Sequence, residues 1–216
     1  MGCDTKLYNL DDNAAIGIGA MIVFIAMVLV AGIAASVLVQ TSSVLEMQAL
    51  RTGQQTTSEV ASGIYVEGIE GEQSSSSLTK VGIEIKPRSG SPDIDLNTTV
   101  IELSDSTVKY ILNFDRNIFS NSSSVDGNAF SSSLFPSSNV TTTFGVIVLQ
   151  DADGSCISTN PVINFGDHVI IAIGDAFSGI APRTDIFGMV ISEEGSPGII
   201  GFRTPESYTE TILKLQ

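Results

Sequence analysis

The sequence predicts an α+β chain: a long hydrophobic N-terminal α-helix followed by an antiparallel, immunoglobulin-like β-sandwich. Three observations predict it. An uninterrupted apolar run without charge fills most of the first forty residues. Beyond Ser62 the apolar residues change from helical spacing to alternation. The alternating runs are separated by clusters of Gly, Pro and Ser, with no further helical pattern between them.

The apolar run, Ala14 to Val39, reads AAIGIGAMIVFIAMVLVAGIAASVLV. As a helix its 26 residues rise about 39 Å, enough to cross a hydrocarbon core of about 30 Å. It is apolar on every face, so lipid or protein must cover it all round. Its large side chains, at roughly 2 kcal/mol each for full burial, offer an upper limit on the order of 30 kcal/mol. A secretory signal peptide is excluded, because that needs a basic leader and a core of roughly 7–15 apolar residues. Here Lys6 stands against Asp4, Asp11 and Asp12, and the run is far too long. Length alone admits a plain membrane anchor. Gly17, Gly19, Ala20, Ala26, Gly32 and Ala34 also admit a packing helix, since small residues let helix backbones approach closely.

From Gln40 to Ser62 apolar residues persist at Val44, Leu45, Met47 and Leu50 among Gln, Ser and Thr. Spacings of three extend the helix as an amphipathic stem, so one helix is expected over residues 15–62. Gly53 is its weak point, costing about 1 kcal/mol relative to Ala.

The sandwich is expected over residues 63–216. Lys80 to Lys86 puts Val81, Ile83 and Ile85 on one face and polar residues on the other. Similar runs are Tyr65–Glu67, Val100–Leu103, Val108–Phe114, Phe144–Leu149, His168–Ile173, Phe187–Ser192, Ile199–Phe202 and Thr209–Leu215. That many short strands with turn signals between them read as a sandwich. Glu67 to Leu78 is expected as a loop leaving the first strand. The Ser/Asn-rich stretch from Asn117 to Thr143 is expected as a long surface loop or hairpin crown.

Charge and motifs exclude several functions. Ten Lys and Arg against 24 Asp and Glu give a net charge of −14, which rules out a basic nucleic-acid footprint. Two cysteines and one histidine leave no material for a zinc cluster or a disulfide framework. No G-x-S-x-G, Cys/His or Walker-type motif is present, so nothing points to an enzyme. Asp151-Ala152-Asp153-Gly154-Ser155 has the opening of a calcium loop, with Asp151 and Asp153 as candidate oxygen ligands. Position 162, where such a loop carries Glu, is Val, and a β-turn using Asp and Gly is the competing reading. His168 has no second His or Cys to help it bind metal, and reads as a strand-edge imidazole. Cys156 reads as a half-buried structural thiol, Glu193-Glu194 as a solvated face, and Arg183 as the partner of a neighbouring carboxylate, within the chain or across subunits. Asn97, Asn121 and Asn139 stand in Asn-x-Ser/Thr sequons.

The stretch AIGIGAMIVFIAMVLVAGIAASVLVQTS, followed by LRTGQQTTSEVASGI, resembles the N-terminal signature of the archaellins, the archaeal flagellins. Their pattern GIG-x-x-IVFIAMVLVAA is matched almost residue for residue. DADGSC, PVINFGDHVII, APRTDIFGMV, GSPGII and TPESY resemble archaellin C-terminal segments in the same order. The resemblance implies a structural subunit of the archaellum filament, polymerising through its helix for swimming. It also implies a leader, residues 1–14, removed by a prepilin-type peptidase. Alignment of the GIG motif puts the cut between Ala14 and Ala15, with Asn13/Ala14 the other candidate. The leader carries −2, and removing it, with Cys3, leaves a chain of −12. Further implications are a membrane-inserted precursor, an extracellular homopolymer that can include paralogous archaellins, N-glycosylation at the three sequons, and no required cofactor, with a structural divalent cation at Asp151 and Asp153 left open beside the β-turn reading. An adhesive pilin of the same export route is the nearest alternative, and a membrane-anchored surface domain the more distant one.

Overall fold

The computed structural model describes residues 4–125, 127–130 and 132–216, so Cys3 and the start of the expected leader lie outside the described residues. The chain forms two compact units, Met1–Gln54 and Gln55–Gln216.

Helix α1 (Asp4–Ala61) is continuous, and 58 residues correspond to about 87 Å. No proline interrupts it, and Ala, the best helix former, is the commonest residue of its apolar part, followed by Ile and Val. It passes through Ala14 and Ala15 without a break. Its polar half returns side chains to its own backbone: Thr41 Oγ1 donates to the Leu38 carbonyl and Thr52 Oγ1 to that of Gln48. The helix stops where Ser62 N makes its last bond, to the Ser58 carbonyl, and Gly63 turns to φ +139°.

The second unit is an immunoglobulin-like β-sandwich. Its strands are β1 (Ile64–Ser74), β2 (Ser77–Pro87), β3 (Ile94–Asp95), β4 (Val100–Ser104), β5 (Lys109–Asn121), β6 (Thr143–Gln150), β7 (Cys156–Ile157), β8 (Asn160–Ile163), β9 (His168–Ile173), β10 (Asp185–Ile191), β11 (Gly198–Arg203) and β12 (Ile212–Lys214). Nine of them form one ladder in the order β11-β10-β4-β5-β6-β9-β2-β1-β12, and β3-β8-β7 form a small second sheet. Inward residues from both halves of the ladder meet in one core, among them Ile83, Ile85, Ile101, Leu112, Phe144 and Ile171. The two ends of the ladder also meet. Gly63 bridges Ser196, an ideal Cβ on Gly198 would lie 3.0 Å from Val66 Cγ2, and Gly201 N donates to Gln216 Oε1 at 3.2 Å.

Three expectations are corrected. The expected loop from Glu67 to Leu78 is a hairpin. β1 and β2 pair along their length through a turn at Ser75 and Ser76, both at positive φ, with bulges that absorb the irregular Gly/Glu spacing. The sandwich is not wholly antiparallel: β5 and β6 run parallel, with a register shift between Phe114 and Phe119. A parallel pair needs a long crossover, and the residues between β5 and β6 supply it. That crossover is not an open loop. It carries two 3-10 turns (Ser122–Ser124 and Ser132–Leu134) and buries Phe130, Leu134 and Phe135 against Ile147 and Ala172 as a second small core. Phe130 and Phe135 stack with centroids 5.3 Å apart. Lys80 Nζ donates to the Phe130 carbonyl at 2.7 Å and pairs with Glu72 at 2.7 Å.

Candidate functional site

The longest run of exposed apolar side chains among the described residues lies on α1. From Ala14 onward its side chains are exposed, apart from the half-buried Ser58, and Ile16, Met21, Phe24, Met27 and Leu38 each keep more than three-fifths of their surface open. Ideal Cβ atoms on Gly17, Gly19 and Gly32 would touch nothing within 4 Å, so these positions are open notches. By length and composition this helix can cross a membrane. The same apolar surface suits packing against other helices, and small residues set how close they come.

A second site is the turn between β6 and β7, where Asp151, Asp153 and Asp167 bring ligand oxygens within 4.8 Å of one another. Asp151 Oδ1 accepts from Gly154 N at 2.7 Å, with Gly154 at φ +78°, so the β-turn reading describes the backbone. Asp151 Oδ2 accepts from Cys156 N at 3.2 Å. Asp153 accepts from Ser155 N at 2.9 Å and from Asn164 Nδ2 at 2.7 Å, and the Asn164 bond is the main cause holding its carboxyl below the usual range. Asp167 is 1% exposed and accepts from Ala152 N and Asn164 N, both at 2.9 Å. Three hard carboxylates match the donor set of a divalent cation such as Ca²⁺. Every carboxylate oxygen already accepts an N–H, so the turn also holds its shape by itself. Asp167 has no motif signal, because β7 and β8 separate it from the DADGS turn. Burial pushes the neighbouring Cys156 thiol up to about 12, with the charges of Asp151 and Asp167 adding to the effect.

The remaining predicted residues are scattered. His168 opens β9, where Nδ1 lies 3.3 Å from Glu67 Oε2, and Glu84 stands beside them; Lys86 Nζ also reaches Glu67, at 3.0 Å. A β-bulge at Glu67 and register across β1, β2 and β9 bring these groups together, which spacing along the chain does not reveal. Arg183 pairs with Glu206 of its own chain. Asn97, Asn121 and Asn139 are all exposed. Their hydroxyl partners differ: Ser123 and Thr141 are exposed, whereas Thr99 is buried and donates to the Asp95 carbonyl at 3.0 Å.

A long apolar helix left open to its surroundings, joined to a self-sufficient sandwich, defines a structural subunit that assembles with others. The family model for archaeal-type flagellin matches residues 14–202, and the chain belongs to that family of structural filament proteins. It is 45% identical over 213 residues to flagellin B3 of Methanocaldococcus jannaschii, covering 97% of this chain and 98% of that protein. With flagellin B3 of Thermococcus kodakarensis the identity is 36% over 255 residues, covering 96% and 99%. A crystal structure of an archaeal flagellin from M. jannaschii superposes with a TM-score of 0.63 at 30% identity, over 72% of this chain and 98% of that one. The archaeal flagellum of Methanospirillum hungatei shares the fold, with a TM-score of 0.60 at 15% identity over 92% and 98%.

Proposed function

We infer that this chain is the structural subunit of an archaellum filament, an extracellular helical polymer used for swimming. One observation carries the reading. An apolar helix of this length leaves its surface uncovered in the single chain, and bundling with other copies would remove that surface from water all round. Residues 15–62 form the filament core in this reading, and the sandwich of residues 63–216 forms the sheath around it.

Residues 1–14 act as a leader that a prepilin-type peptidase removes between Ala14 and Ala15, or one bond earlier. Lipid covers the helix in the precursor, and protein covers it after assembly. Asp151 and Asp153, with Asp167, hold a structural divalent cation, and the sequons carry glycans. Occupancy is expected to favour Asn121 and Asn139 over Asn97, because Thr99 has its hydroxyl buried and engaged. Mass spectrometry of filaments sheared from cells tests these points together. The expected result is this chain starting at Ala15 or Ala14, with glycopeptides at Asn121 and Asn139. An uncut chain that stays with the membrane as a monomer would overturn the reading.

A further inference from the structure

Three neighbouring strands, β9, β2 and β1, carry a cluster that the filament reading does not use. On β2 the alternation buries Ile83 and Ile85, so Glu84 and Lys86 stand on the outer face. On β9 Val169 is buried, so His168 before it stands outward as well. On β1 the register shift between Val66 and Gly68 leaves Glu67 as the extra residue of a bulge, and its carboxylate reaches over the same face.

Glu67, Glu84 and His168 thereby bring one ligand atom each to within 4.8 Å of one another. His168 Nδ1 is 3.3 Å from Glu67 Oε2. Zinc bonds of about 2.0–2.2 Å at tetrahedral angles set neighbouring donors roughly 3.4 Å apart, so this pair already has ligand spacing. Lys86 Nζ, 3.0 Å from Glu67, offsets one carboxylate. Among the described residues Glu84 has no ion pair, which leaves one negative charge beside the imidazole. The Lys86 ammonium also lies 5.3 Å over the Tyr65 ring, so it keeps a partner when Glu67 turns to another cation.

The donor set selects the ion. An imidazole nitrogen with two carboxylates suits Zn²⁺ and its first-row neighbours, whereas Ca²⁺ and Mg²⁺ take oxygen donors such as those of the acidic turn. Along the sequence His168 lacks a second His or Cys, and the fold supplies carboxylates from two other strands instead. We propose that Glu67, Glu84 and His168 form a surface site for a divalent first-row transition ion such as zinc, with water completing its coordination. The site lies within one chain and is independent of the filament reading.

The test titrates Zn²⁺ into chelator-treated, detergent-solubilised full chain against a chromophoric competitor, with excess Ca²⁺ present to occupy oxygen-only sites. His168→Gln and Glu84→Gln are each expected to weaken zinc binding about tenfold or more, with the zinc-free thermal transition unmoved. Lys86→Met should act in the opposite direction and tighten it roughly threefold, because Glu67 is released from its ion pair. Co²⁺ in place of Zn²⁺ should show visible d–d bands without a thiolate charge-transfer band. Undetectable zinc binding, or equal binding in wild type and both Gln variants, overturns the proposal. So does loss in His168→Gln alone, with Glu84→Gln and Lys86→Met unchanged, since that describes a lone surface imidazole. A thiolate band puts the metal on a cysteine, and loss confined to Asp153→Asn puts it at the acidic turn; either result overturns the assignment. Should His168→Gln fail to fold, the opposed shifts of Glu84→Gln and Lys86→Met decide.

Discussion

The helix and the sandwich obey the same hydrophobic rule and meet it in opposite ways. In the sandwich, Phe144, Ile83 and Ile171 leave water by packing against their own chain. In α1, Phe24, Met27 and Leu38 are as apolar and stay open. Burial in the first case is a property of the monomer, fixed on folding. In the second it is a property of the assembly, because a single helix has no other side of itself to pack against. Hydrophobicity therefore says that a surface must be covered, not what covers it.

The strongest way to break the contrast is a charge in the helix. Val28→Asp should abolish filaments outright, since every subunit would bury an unpaired carboxylate at several kcal/mol each. The thermal transition of the sandwich in the detergent-solubilised full chain should not move. Phe144→Ala should do the reverse to stability, costing about 3–5 kcal/mol in the sandwich and read as a lowered denaturation midpoint.

Cys156 sharpens the comparison by pH. Its thiol is held neutral up to about 12 in the folded state against 9.0 without the fold. A raised value means stability is fully present below the unfolded value and declines as pH rises toward the folded one, by up to about 4 kcal/mol. Cys156→Ala should flatten that alkaline decline in urea titrations between pH 9 and 12.

Smaller effects concern the periphery. Adding Ca²⁺ to chelator-treated protein should raise the melting temperature by a few degrees, roughly the effect of 1 kcal/mol, and Asp153→Asn should abolish the increment. Glu206→Gln removes an exposed ion pair with Arg183 and should change stability by less than about 1 kcal/mol.

Much of this architecture is legible in the chain because its signals are local. The apolar run needs only length and composition to read as a helix, and Val81, Ile83 and Ile85 need only the two-residue period of a strand. The crossover was opaque for the opposite reason. Phe130, Leu134 and Phe135 are sparse among serines, follow no period, and become a core only where Ile147 and Ala172 wait beneath them. The hairpin strand from Glu67 to Ser74 is hidden by Gly, Glu and Ser, and is held by pairing with β2 rather than by its own propensity. At the acidic turn, Asp151 and Asp153 announce themselves by motif. Asp167 joins them only after β7 and β8 have turned the chain back.

By itself the sequence determined the kinds of element and their order: one uncovered helix, then alternating strands, in an acidic chain whose family signature is written along its length. Those properties are carried by neighbours within a few residues. Tertiary structure alone decided that β5 and β6 run parallel, that the ladder's ends meet at Gly63 and Ser196, and that the crossover packs onto Ile147 and Ala172. Each of these depends on residues far apart in the chain, and their contacts exist only once the backbone has closed the distance between them.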